Sequence, residues 1–168
     1  MIPINVTHTA IVNREIHAQL LCPGSDPSLP DLPNAQTNLR RTLSTLISFF
    51  ADSYKTTFGF NDGPPLHDAL TIAYVAHPEL FTTTRHRVDV ELTGTHSMGE
   101  TVVDMWKYKS VDDTWGSTGR NCIVAESLKV RRPFFLFKKL TEKNKVHEFF
   151  ELLLCAISIC DRTTPLNE

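Results

Sequence analysis

The chain has 168 residues, enough for one domain with a sizeable core, and its 41% apolar and 21% charged residues are those of an ordinary globular protein. Seventeen Lys and Arg against nineteen Asp and Glu leave a net charge of −2, so charge gives no support to a nucleic-acid or membrane-surface partner. No apolar run approaches the roughly 18–20 residues that span a bilayer.

The N-terminal M-I-P-I-N-V-T-H has no cationic region before its apolar residues, unlike a secretory leader. Four cysteines, Cys22, Cys122, Cys155 and Cys160, form no C-x-x-C pair and have no metal-ligand spacing. Together these point to a cytoplasmic protein with reduced, half-buried thiols.

In chain order, Ile2 to Val12 is β-branched and partly alternating, which predicts a strand. Arg14 to Leu21 suits a short helix, and the four prolines and glycine of Cys22 to Asn34 predict a surface loop. From Thr37, apolar residues at Leu39, Leu43, Leu46, Ile47, Phe50, Tyr54 and Phe58 recur at helical spacing, and Gly59 is placed to end that helix. A turn over Phe60 to Gly63 follows. Pro64 and Pro65 then suit the first positions of a buried, almost wholly apolar helix from Leu66 to Ala76, stopped by Pro78.

Thr82 to Leu92, Thr101 to Trp106 and Asn121 to Val130 read as strands, and His147 to Ile159 as a closing amphipathic helix. Alternating strands and helices imply an α/β architecture.

The helix predicted after Gly63 opens with His67 and Asp68. Asp68 in a first turn has two readings: it stabilises the helix dipole, or it offers carboxylate oxygens to a hard cation. His67 is either a core histidine with both ring nitrogens satisfied or a general acid, since imidazole titrates near neutral pH. Polar groups at the end of an element in an α/β protein are well placed to face a crevice.

The run G-F-N-D-G-P-P-L-H-D-A-L-T-I-A-Y-V-A-H-P-E-L-F resembles the C-terminal signature of the inosine-uridine preferring nucleoside hydrolases. Further blocks match in order: P-I-N-V-T-H, F-F-A-D-S-Y-K-T-T-F-G-F, V-D-V-E-L-T-G, G-E-T-V-V-D, and the terminal F-F-E-L-L-L-C-A-I-S-I-C-D-R-T-T-P-L-N. The resemblance implies the C-terminal part of a Rossmann-like fold, with a mixed sheet, flanking helices and an antiparallel strand pair. It also implies hydrolysis of the N-glycosidic bond of ribonucleosides to ribose and free base, in purine and pyrimidine salvage. Such cleavage passes through an oxocarbenium-like state; in this family calcium holds the ribose hydroxyls and the attacking water.

Residue by residue, Asp68 matches the calcium ligand of the P-L-H-D motif. His67 matches the histidine beside the leaving base. Tyr54 either lines the base pocket or packs as a core aromatic. The family's D-x-D-x-x-x-D-D run, the source of most calcium ligands, is absent, and Asp112-Asp113 lies in a V-D-D-T-W-G turn. The 168 residues are therefore expected to form a single partial domain, inactive alone, with uncovered apolar helix faces. Association with copies of itself or with full-length subunits is a further expectation, as is the alternative of a non-catalytic binding module.

Between Val130 and Val146 stands a basic-aromatic segment, 131–145, that opens R-R-P-F-F-L-F-K-K. It is expected to be an insertion, read as a translated intron because the flanks rejoin into a family-like sequence without it. A binding element and a membrane-touching patch are the other readings. A phosphohydrolase with adjacent His and Asp metal ligands is a competing class. That class is all-helical, and the β-branched segments Ile2–Val12 and Val88–Leu92 argue against it.

Overall fold

A computed structural model describes residues 1–26, 28–107, 119–128 and 144–168. The N-terminal segment departs from the expected strand. Pro3 starts a one-turn helix, α1 (Ile4–Thr7), with its carbonyl accepting from the Val6 and Thr7 amides. The Thr7 and Thr9 hydroxyls bond back to the carbonyls of Ile4 and Val6, closing the turn further. Local bonds of this kind compete with extended backbone. Burial favours the same outcome, because Val6 and Ala10, four residues apart, both enter the core. Only the two ends of the segment pair as a strand would. The Met1 carbonyl accepts from Ala125 at 2.9 Å, and Ile11 bridges Pro65.

The next two helices follow their sequence signals. α2 (Arg14–Leu21) is capped by the Asn13 side chain, which accepts from the Ile16 amide at 2.9 Å. α3 (Asn38–Phe58) is capped by Thr37 and ended by Gly59 at φ 73°, a left-handed conformation that glycine adopts without steric cost.

α4 (His67–Ala76) begins one residue later than expected, with Leu66 as its cap residue. Pro64 and Pro65 are not in its first turn; they lie in an extended segment beside Ala10–Val12. There Pro64 accepts from the Val12 amide, and the Leu66 amide donates to Ala10, both at 3.0 Å. The missing proline N–H groups are not needed on that face. Nor is α4 buried all round: Leu70 is fully buried and Ala73 nearly so, but Ile72 is 68% and Val75 76% exposed.

The segment expected as one strand from Thr82 to Leu92 divides at Arg87 into β1 (Phe81–His86) and β2 (Val88–Val90). The two join different sheets. β1 pairs antiparallel with β4 (Cys122–Leu128), with a register shift at Thr82/Thr83, and β2 pairs antiparallel with β3 (Thr101–Val103). Arg87 turns the chain between them: its guanidinium bonds both Asp89 oxygens, at 2.9 and 2.6 Å, and its carbonyl accepts from the Asp104 amide. β3 stops at Val103 instead of Trp106, because Met105 and Lys107 close turns onto Val103 and Asp104.

α5 (Asn144–Cys160) closes the chain. The expected insertion at 131–145 lies outside the described residues as far as 143. Of the four thiols, Cys22 and Cys122 are half-buried and Cys155 and Cys160 exposed, all unbridged. No described helix is long and apolar enough to cross a membrane.

The core gathers Val6, Ala10 and Val12 with Leu20, Ile47, Leu70, Phe81, Ala125, Phe149 and Ile157, so every long helix and the β1–β4 pair contribute to one cluster. Arg40 of α3 is 2% exposed and ties three helices at that cluster's edge. It bonds Asp161 just beyond α5 at 2.5 Å, the Leu20 carbonyl of α2 at 2.6 Å and Ser158 of α5 at 3.0 Å. A guanidinium with several donors can satisfy its buried charge in this way.

Candidate active site

The pairing of Ala10–Val12 with Pro64–Leu66 sets the geometry, because it places the last residue of α1 beside the first residue of α4. His67 Nδ1 lies 2.7 Å from Thr7 Oγ1, sixty residues away in sequence. Tyr54, from the C-terminal part of α3, puts its hydroxyl 2.8 Å from His67 Nε2. Gly63 makes the close approach possible. It sits at φ 129°, and a Cβ there would lie 2.0 Å from the Val12 carbonyl oxygen.

Aromatic rings wall the cluster. His8 stands 5.4 Å from the His67 ring and edge-on to Phe60 at 5.1 Å, and Phe60 meets Tyr54 edge-on at 5.7 Å. Burial, with a smaller push from His8, holds the His67 pKa below the ordinary imidazole value; the Asp68 carboxylate opposes this. The neutral ring is therefore favoured.

Asp68 follows His67 in the first turn of α4 and is exposed. That position is favourable to the helix dipole. As a calcium site it is incomplete. Calcium takes six to eight oxygens, Asp68 supplies one carboxylate, and no group of three or more His, Cys, Asp and Glu is close enough to hold a metal among the described residues. The described residues do not by themselves fit calcium.

The structure thus brings His67 and Tyr54 into direct contact, with Asp68 next in sequence. Thr7, His8 and Phe60 join them without having been singled out as site residues. The signal for all three was present, since Thr7 and His8 end the P-I-N-V-T-H block and Phe60 lies in G-F-N-D-G. A neighbouring cleft of about 630 Å³, lined by Thr9, Asn13, Arg14, Asn61, Asp62 and His147 among others, does not include His67, Asp68 or Tyr54.

A family model described as inosine-uridine preferring nucleoside hydrolase matches residues 1–135, a span that contains the whole His67 cluster. The chain belongs to the inosine-uridine preferring nucleoside hydrolase family. It is 40% identical over 106 residues to a probable ribonucleoside hydrolase of Dictyostelium discoideum, covering 63% of this chain and 29% of that protein. It is 46% identical over 66 residues to the pyrimidine-specific ribonucleoside hydrolase RihA of Enterobacter sp. (strain 638), covering 39% and 21%. Among solved structures it matches a purine-preferring ribonucleoside hydrolase from Gardnerella vaginalis with a TM-score of 0.62 at 21% identity, over 95% of this chain and 40% of that one. The nucleoside hydrolase α/β fold is therefore shared. The chain spans less than a third of the two curated relatives.

Proposed function

We propose that this chain supplies the leaving-base side of a nucleoside hydrolase that cleaves the N-glycosidic bond of ribonucleosides to ribose and free base. The observation that carries the reading is the 2.8 Å contact between Tyr54 and His67, two residues singled out from separate blocks of the sequence. In this reading Tyr54 flanks the base, and His67 assists its departure from the imidazolium form: Nε2 gives its proton to the Tyr54 oxygen as the Tyr54 hydroxyl gives its own to the base, which leaves the neutral ring with its proton on Nδ1. The rings of Phe60 and His8 exclude water from that side, and Asp68 contributes one carboxylate to a calcium site whose other ligands come from outside these residues.

The magnitudes make the chain insufficient alone. General acid assistance is worth about 10²–10⁴-fold, whereas enzymes commonly supply about 10⁶-fold or more. The purified 168-residue chain is expected to release no ribose from uridine or inosine above background, with or without calcium. Joined behind the upstream portion of the Dictyostelium relative, it is expected to gain calcium-dependent release. Turnover by the chain alone would refute its insufficiency, and a folded but inactive chimera would refute the hydrolase reading.

A further inference from the structure

Both ring nitrogens of His67 are engaged, so the hydrogens around them can be counted. Thr7 Oγ1 carries one hydrogen and directs it to the Ile4 carbonyl, 3.1 Å away within α1. The same oxygen lies 2.7 Å from His67 Nδ1; with its own hydrogen on Ile4 it is left to accept there, an assignment that puts the ring proton on Nδ1. In that assignment the Tyr54 hydroxyl, 2.8 Å from Nε2 on the opposite side, donates to that nitrogen. The reverse assignment has Thr7 donating to Nδ1 and Nε2–H donating to Tyr54. It gives up the Ile4 bond and removes the phenolic hydrogen from Nε2. Both assignments run in one direction and satisfy both ring nitrogens; the first keeps one bond more, in a chain from Tyr54 to His67 to Thr7 to Ile4, and each bond in such a chain polarises the next.

The two anchors differ in kind. Thr7 is buried at 4% exposure, and its hydroxyl is aimed by a backbone carbonyl of its own helical turn. Tyr54 is half-exposed on a different helix. The bond at one imidazole nitrogen decides which nitrogen carries the proton, and the better-fixed anchor is at Nδ1.

We propose that Thr7 is a positioning residue: with the Ile4 carbonyl it fixes His67 as the Nδ1–H tautomer and turns the bare Nε2 toward Tyr54. The significance of that orientation for base departure rests on the function proposed above; the tautomer does not.

The test is a long-range proton–nitrogen correlation spectrum of the histidine rings in the nitrogen-15-labelled full chain, above neutral pH, with His67 assigned by its loss in His67→Gln. The expected result is an Nδ1–H pattern in the wild type, in Thr7→Ser and in Tyr54→Phe, and loss of that pattern in Thr7→Val. An Nε2–H pattern in the wild type overturns the proposal, as does an unchanged tautomer in a folded Thr7→Val or a switch caused by Tyr54→Phe. Should Thr7→Val fail to fold, the wild type, Thr7→Ser and Tyr54→Phe decide the matter. Ribose release plays no part in this readout, so failure of the tautomer and failure of the hydrolase reading are separately visible.

Discussion

At the residue scale, a costly loss falls on the Arg40–Asp161 pair, because Arg40 is buried and holds three helices through one guanidinium. Removing one partner of a buried pair leaves the other charge uncompensated, at a cost of about 3–5 kcal/mol. Arg40→Met is expected to lower the denaturation midpoint accordingly. Desolvation raises the Asp161 pKa, but bonds from Thr37, Arg40 and Asn167 together outweigh it and hold the carboxyl below its usual value. Its stabilisation is therefore present above the unfolded carboxylate pKa near 3.9 and lost as pH falls through the folded one.

His67 and His17 follow the same sign at higher pH. Burial is the leading cause of a lowered pKa in both, so the unfolded chain binds protons more readily than the folded one below about pH 6.5. Stability is expected to fall as pH is lowered through that region in denaturant titrations, and the dependence should flatten in His17→Gln and His67→Gln. Gly63→Ala should cost about 1–3 kcal/mol in backbone strain and more through its clash with Val12. It should also disturb the His67 ring resonances.

At the scale of elements, α4 makes two opposite predictions. Leu70→Ala, at a fully buried site, should cost about 2–5 kcal/mol; Ile72→Lys, on the exposed face, should stay within about 0.5 kcal/mol. Periodicity and the Gly59 stop made α3 legible, because both act locally; the caps Asn13 and Thr37 are equally local signals that the sequence reading did not use. α1 was not legible: its β-branched residues favour strand, and what opposes them is Pro3 with two threonine back-bonds and the burial of Val6 and Ala10. The break at Arg87 was hidden for a similar reason, since it depends on two partner strands that are distant in sequence. Within the site, the H-D pair at a helix start could be read directly. The contact that joins Tyr54 to His67 also needed the fold to bring α3 to the start of α4, and the role of Thr7 depends on a sixty-residue closure.

At the scale of the molecule, α3 and α4 leave Leu46, Phe49, Ile72 and Val75 in solvent. Apolar surface of that extent favours association, so light scattering by the isolated chain is expected to rise with concentration, and less steeply in a variant carrying both Ile72→Lys and Val75→Lys.

Action of His67 on the leaving base is tested by kcat for uridine and inosine in the chimera with and without His67→Ala. A fall of about 10²–10⁴-fold in kcat with little change in KM is the expected result. An unchanged kcat in a folded His67→Ala chimera would contradict it.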